Sequence, residues 1–240
     1  MRSHETRVEI DAAIEDVWKA LTDSGEAARW FAPQMEIDLK PGGEHVADWG
    51  PGLRWQSIVE VVEPLRHLRL SEVRDEVFSA AAERRKLPSA RLVQDYYLET
   101  EKGRTVLRIV HSGFGSEAAW DEEYDGTRQG WRACFLRMKL MLERHRGEVA
   151  RNFIVNKHMP GQSRTEALAK VRAEAPAGLS IVFDGETEFA GVVPAWNHSV
   201  FNVSSQTVTG GCMVYVEFVL WGIEESQADS IRAEWSSKFS

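Results

Sequence analysis

The chain is poor in cysteine: Cys134 and Cys212 are the only two in 240 residues. Neither forms a CxxC pair nor has metal-finger spacing, which argues against a redox motif or a thiolate zinc site. A single disulfide between them stays open, but buried reduced thiols are expected, because Cys134 lies on an apolar helix face. Long apolar runs are also missing, so no segment is expected to span a bilayer. The opening MRSHETRVEI lacks the apolar centre of a signal peptide. Together these absences predict a cytoplasmic protein without a membrane role. Basic charge is scarce as well. Residues 1–150 hold 22 Lys+Arg against 27 Asp+Glu, the remainder 7 against 10, and the net charge is −8. A nucleic-acid-binding face is therefore not expected, and the one tight basic cluster, Arg84-Arg85-Lys86, reads as solvated loop. The seven histidines show no HxH or HExxH spacing. There is no GxSxG and no Gly-rich phosphate loop. No metal and no cofactor are predicted.

What is present is an ordinary apolar fraction, 43%, enough for a sizeable core, and one very long amphipathic segment. From Ser116 to His145, Trp120, Tyr124, Trp131, Phe135, Met138 and Leu142 recur at spacings of three, four or seven, so they share one helix face. Asp121, Glu122 and Glu123 place negative charge at its start, Arg144 and Arg146 positive charge at its end. Ser116 is the predicted N-cap and Gly147 the C-cap candidate. A face this aromatic needs a concave partner, and the preceding segments supply one. Arg7–Ile10 reads as a strand, followed by two short helices ending before Pro33. Strands are then predicted at Met35–Leu39, Glu44–Trp49, Leu53–Val62, His67–Val73, Arg91–Thr100 and Thr105–His111. The period of two turns Leu107, Ile109 and His111 inward in the last of these, and Trp55, Ser57, Val59 and Val61 inward in the third. Asp75–Ser89 interrupts the strands as a surface loop or a lid.

Residues 147–160 change character and are read as a boundary. Beyond them Ser163 and Glu166 form a capping box. Four strands follow at Leu179–Asp184, Glu188–Val193, Ser199–Ser204 and Met213–Trp221, and then a helix at Gln227–Phe239. The expected organisation is a domain over residues 1–147 and a small α+β module over 160–240 with the order helix, four strands, helix.

Within the first region, IDAAIEDVWKALT (residues 10–22), ARWF (28–31), LKPGG (39–43), HSGF (111–114) and Gly130-Trp131 follow one another in an order and spacing that resemble the START-like, helix-grip (SRPBCC) superfamily. The branch they match is the one related to the C-terminal domain of the activators of the Hsp90 ATPase. The resemblance covers about residues 1–145. It implies an α+β fold in which a curved antiparallel sheet grips a C-terminal helix around a hydrophobic cavity. The smaller α+β module lies outside the resemblance, and its order of elements reads as a shortened echo of the first part. Members include lipid and hormone carriers, cyclase-type enzymes and chaperone cofactors, so fold alone names no activity.

The predicted ligand-binding set is Trp55, Val59, Leu107, Ile109, His111, Trp120, Tyr124, Trp131 and Phe135. These residues line a cavity or simply fill a core. His111 is the single polar candidate, either orienting a ligand or acting as acid or base, or else a satisfied core histidine. Asp95 and Tyr97 share a face, with Asp95 expected outward. The leading expectation is non-enzymatic binding of a small hydrophobic or aromatic ligand. A protein-interaction or chaperone-cofactor module is one alternative, and a cyclase- or hydrolase-type enzyme using His111 is another. A protein partner or a homodimer is compatible with each. A cavity above ~300 Å³ favours the first reading, an exposed apolar patch the second, and a cluster of inward polar side chains around His111 the third.

Overall fold

The computed structural model describes residues 1–50, 54–73 and 91–239. The Gly50–Gly52 turn in part and the whole Asp75–Ser89 segment, with its basic cluster, lie outside the described residues. The chain divides into two compact units, Met1–Arg146 and Gly147–Ser240.

The first unit is a seven-stranded, fully antiparallel sheet: β1 (Arg2–Ile10), β2 (Gln34–Ile37), β3 (Glu44–Asp48), β4 (Arg54–Glu63), β5 (His67–Val73), β6 (Val93–Glu101) and β7 (Arg104–Phe114), in the order β1-β7-β6-β5-β4-β3-β2. Two short helices, α1 (Ile14–Thr22) and α2 (Ser24–Ala27), separate β1 from β2. The long helix α3 spans Asp121–Arg144. The predicted Ser116 cap is corrected: a 3-10 turn at Ala118–Trp120 precedes α3, and its N-cap is Trp120. Arg2 ties this entry down by donating to the Gly115 carbonyl and to Asp121. At the other end the C-cap is His145, not Gly147, and Arg29 donates to the His145 carbonyl at 2.6 Å. That contact answers an end carbonyl that would otherwise lack a partner. Trp131, Phe135, Met138 and Leu142 are buried, so the aromatic stripe is the gripped face.

Two glycines in the matching segments are there for space. A Cβ on Gly43 would strike the Asp38 carbonyl, and one on Gly113, whose φ is +98°, would strike the Arg91 carbonyl. Only glycine lets those backbones approach so closely.

The period of two holds along most strands, with register shifts at Arg2/Ser3, Ala190/Gly191 and Val59/Val61. The last lies between β4 and β5. This β-bulge breaks the predicted inward series, so Trp55, Ser57 and Val59 share a face that Val61 does not continue.

The second unit pairs β8 (Ala150–Pro160), β12 (Gly211–Trp221), β11 (Ser199–Val208), β10 (Glu188–Val193) and β9 (Ser180–Asp184) in that order, again antiparallel throughout. Helices α4 (Arg164–Ala173) and α5 (Glu225–Lys238) complete it. The capping box at Ser163 and Glu166 is present. Over residues 160–240 the order is helix, four strands, helix; the reading of residues 147–160 as a boundary is corrected, because Ala150–Pro160 is a full strand paired along all of β12. Its mixed Asn, Lys and Pro content hid it, because an edge strand tolerates polar and Pro residues that a central strand does not. The whole chain is thus α+β, with a helix-grip sheet followed by a five-stranded module. Among the described residues no helix is long and apolar enough to cross a membrane.

Candidate functional site

The concave face of the first sheet carries more polar chemistry than the sequence suggested. Cross-strand register sets His45 opposite Ser57 and Ser57 opposite Glu72, on β3, β4 and β5. It also sets Gln94 opposite His111 and His111 opposite His4, on β6, β7 and β1. Glu72 bridges the two rows by accepting from both Gln94 and His111. Six successive strands each contribute one buried polar side chain, and together they form a belt across the sheet.

The hydrogen bonds of the belt converge on Glu72 from two sides. The Tyr96 hydroxyl donates to Gln94 Oε1 at 2.9 Å, and Gln94 Nε2 donates to Glu72 Oε1 at 3.0 Å. From the other side Trp131 Nε1, on the gripped helix, donates to His111 Nδ1 at 3.2 Å, and His111 Nε2 meets the same Glu72 Oε1 at 2.9 Å. An indole nitrogen can only donate, so His111 Nδ1 is the accepting nitrogen. His111 therefore carries its proton on Nε2 and is neutral in this arrangement. A similar argument fixes His4. The Thr127 hydroxyl gives its proton to a main-chain carbonyl of α3, so Thr127 Oγ1 accepts from His4 Nε2 at 3.0 Å. His4 Nδ1 is then a buried acceptor with no partner. Burial pushes the His4 imidazole down to about 3, and the charge of Arg128 adds to the shift. Burial also pushes His45 down to about 4. The Tyr96 phenol moves the other way, well above its ordinary value, because burial disfavours its anion and Cys134 and Glu72 reinforce this.

Aromatic rings surround the belt. Trp131 stacks on Phe31 with centroids 5.7 Å apart and 8° between planes. Trp55 lies 5.9 Å from Trp131 and 6.1 Å from His111, stacked on the latter. Tyr96 meets Trp131 edge-on at 5.7 Å. A small cavity is lined by Leu21, Phe31, His45, Leu70 and Tyr96 among others. Its free space of about 10 Å³ is about what one water needs.

The predicted ligand-binding residues fall into three groups. Trp55, His111 and Trp131 come together around the belt, with Phe135 against Trp131 at 6.0 Å. Val59, Leu107 and Ile109 are buried in the sheet beneath. Trp120 and Tyr124 belong to a separate cluster with Leu92 and Phe114. Tyr124 points its hydroxyl at the Ser3 carbonyl, so it secures the start of β1. Asp95 faces outward as expected. Burial alone would raise its carboxyl, but hydrogen bonds from Arg69 and His67 outweigh that and hold it below its ordinary value.

The reading of His111 as the single polar candidate is corrected by Glu72, Gln94, Tyr96, His4 and His45, which join the inward Ser57. Two of these were within reach. Once Asp95 and Tyr97 are placed outward, alternation puts Gln94 and Tyr96 inward. His4 was missed because β1 begins at Arg2 and not at Arg7. Glu72 carried no signal, since a buried carboxylate is what hydropathy patterning is built to avoid.

A gripped helix over a concave sheet, carrying the motifs quoted above, defines a START-like helix-grip protein. The family model described as activator of Hsp90 ATPase homolog 1-like protein matches residues 11–143, more than half of the chain, and the chain belongs to that family. No curated protein matches it. Among solved structures, the Aha1 dimer from Colwellia psychrerythraea is 18% identical with a TM-score of 0.50, over 60% of this chain and 98% of that one. A Mesorhizobium loti protein, MLL2253, is 24% identical with a TM-score of 0.48 over the same shares of each chain. DynU16, of the dynemicin biosynthetic locus, is 17% identical with a TM-score of 0.49, over 96% of this chain and 92% of that one. The family fold supports a ligand-binding or cofactor-type module.

Proposed function

We propose that the first unit binds a small, largely apolar or aromatic molecule between the sheet and α3, without covalent chemistry. The observation that carries this is the ring assembly of Phe31, Trp55, Tyr96 and Trp131 set directly over a hydrogen-bonding belt. Apolar walls with a few convergent polar groups are the ordinary composition of a small-molecule site. The cavity at Tyr96 has room for about one water, far below the ~300 Å³ set above for this reading, so a ligand enters only by parting these rings. The ligand-contacting set is Trp55, His111 and Trp131, with Phe135 behind them. Trp120 and Tyr124 support the site from the side. Native mass spectrometry of the chain purified from its own host tests this reading. A stoichiometric small-molecule adduct supports it, and repeated purification without any adduct overturns it.

One observation favours a second reading, proton-transfer catalysis at His111. The polar cluster around His111 is the arrangement such a base needs. As it stands, His111 Nδ1 is occupied by the Trp131 indole, so a substrate would first have to displace that bond. A homodimer is compatible with either reading, as the Colwellia relative is a dimer.

A further inference from the structure

The belt has a charge imbalance that bears on what it holds. Glu72 is its only acidic member, with a side chain 2% exposed. Glu72 Oε1 accepts from two donors, Gln94 Nε2 and His111 Nε2. The first is an amide, and the Trp131 bond keeps the second neutral. Among the described residues no Lys or Arg pairs with Glu72. A buried carboxylate held by neutral donors alone is costly, because nothing offsets the water it gave up. At the far end of the belt His4 Nδ1 is a buried acceptor without a donor, but the charge of Arg128 acts there, so the shortage of positive charge lies at Glu72.

The rings fit the same need. Trp55 is the next inward residue on β4 after Ser57, which stands opposite Glu72. Trp55, Trp131 and His111 form a triangle of rings with centroids 5.9, 6.1 and 6.3 Å apart. Indole faces attract a cation through the ring quadrupole, and more strongly where water is excluded. A carboxylate among tryptophans is thus suited to an organic ammonium and poorly suited to an anion.

We propose that the molecule held between the sheet and α3 carries a protonated amine, taken by the Glu72 carboxylate and the faces of Trp55 and Trp131, with an apolar body against the surrounding rings. This rests on the small-molecule reading above and names the ligand's class. The ammonium supplies a cation to Glu72, which no Lys or Arg among the described residues pairs with.

Calorimetric titration of the full chain near neutral pH with phenethylamine, phenethyl alcohol and hydrocinnamate separates the two readings. The expected result is that the amine binds about tenfold more tightly than the alcohol, a difference of ~1.4 kcal/mol, and that the carboxylate binds most weakly. Glu72→Gln should reduce the amine-to-alcohol ratio to near unity while the alcohol still binds. The comparison of amine with alcohol on the unmodified chain needs no variant, so it decides the matter even if Glu72→Gln fails to fold. Alcohol binding as tightly as amine overturns the ammonium proposal and leaves the small-molecule reading standing. Preference for the carboxylate does the same. No binding by any of the three overturns the ammonium proposal, and the adduct measurement then decides the small-molecule reading by itself.

Discussion

The two sheets of this chain are both antiparallel and both packed on helices, yet their buried faces are made differently. In the second unit the side chains packed with α4 and α5 are Phe153 and Val155 on β8, Phe189 on β10, Phe201 and Val203 on β11, and Val214, Val216, Phe218 and Leu220 on β12. They close over Trp235, which lies 4.9 Å from Phe201 and 5.6 Å from Phe218. In the first unit, six strands each place a polar residue on the inward face. An apolar interior serves stability alone. A hydrogen-bonded polar belt contributes less than an apolar one of the same shape, because its groups had good partners in water. The contrast teaches where to look for function: the face that departs from the apolar solution is the one with another task.

The largest effect should come from the apolar unit. Trp235→Ala removes a fully buried indole and should cost the second unit ~3–5 kcal/mol, read as a lower denaturation midpoint for probes in residues 147–240. Acid should act on the first unit. His4 and His45 are held down to about 3 and about 4 by burial, below the ~6.5 of an unfolded histidine. The unfolded chain therefore binds more protons below about pH 6.5, and stability falls as pH drops from there toward about 4. His45 alone accounts for about 3 kcal/mol across that window. His158 and His198 of the second unit are exposed. Unfolding followed by hydrogen exchange from neutral pH to about pH 4 should show the first unit losing protection first, and His45→Phe should flatten the loss. Equal loss in both units would remove the contrast.

The belt itself is tested by a double-mutant cycle. His111→Leu leaves the buried Glu72 with one donor fewer and should cost ~1–3 kcal/mol. Adding Glu72→Leu to it should recover much of that, with a coupling of at least ~1 kcal/mol in urea unfolding. Strict additivity would mean that the pair is not an energetic unit. The smallest effect belongs to a cap. Ser163→Ala removes the oxygen that accepts from the Glu166 amide and should cost ~1 kcal/mol, seen as a small shift in the second unit's thermal midpoint.

Much of this architecture could be read from the chain. His67–Val73 and Glu188–Val193 have the predicted bounds, since alternation with flanking turn residues marks a strand from local information alone. The capping box at Ser163 is equally local. The errors cluster where a property depends on partners distant in sequence. Ala150–Pro160 is a strand because β12 pairs with it, and nothing within its eleven residues announces that. The bulge at Val59–Val61 is set by how β4 meets β5. Ser116 looks like a cap until Arg2, 114 positions earlier in sequence, holds the helix entrance elsewhere.

The candidate site divides along the same line. The sequence by itself determined the gripped helix, its aromatic face and the inward turn of His111, because periodicity is a property of a single element. Only the tertiary structure decided that Trp131 occupies His111 Nδ1, that Glu72 and Gln94 meet His111 across three strands, and that His4 ends the row without a donor. Those facts depend on register between strands separated by tens of residues, and register is set by the whole sheet and the helix it holds.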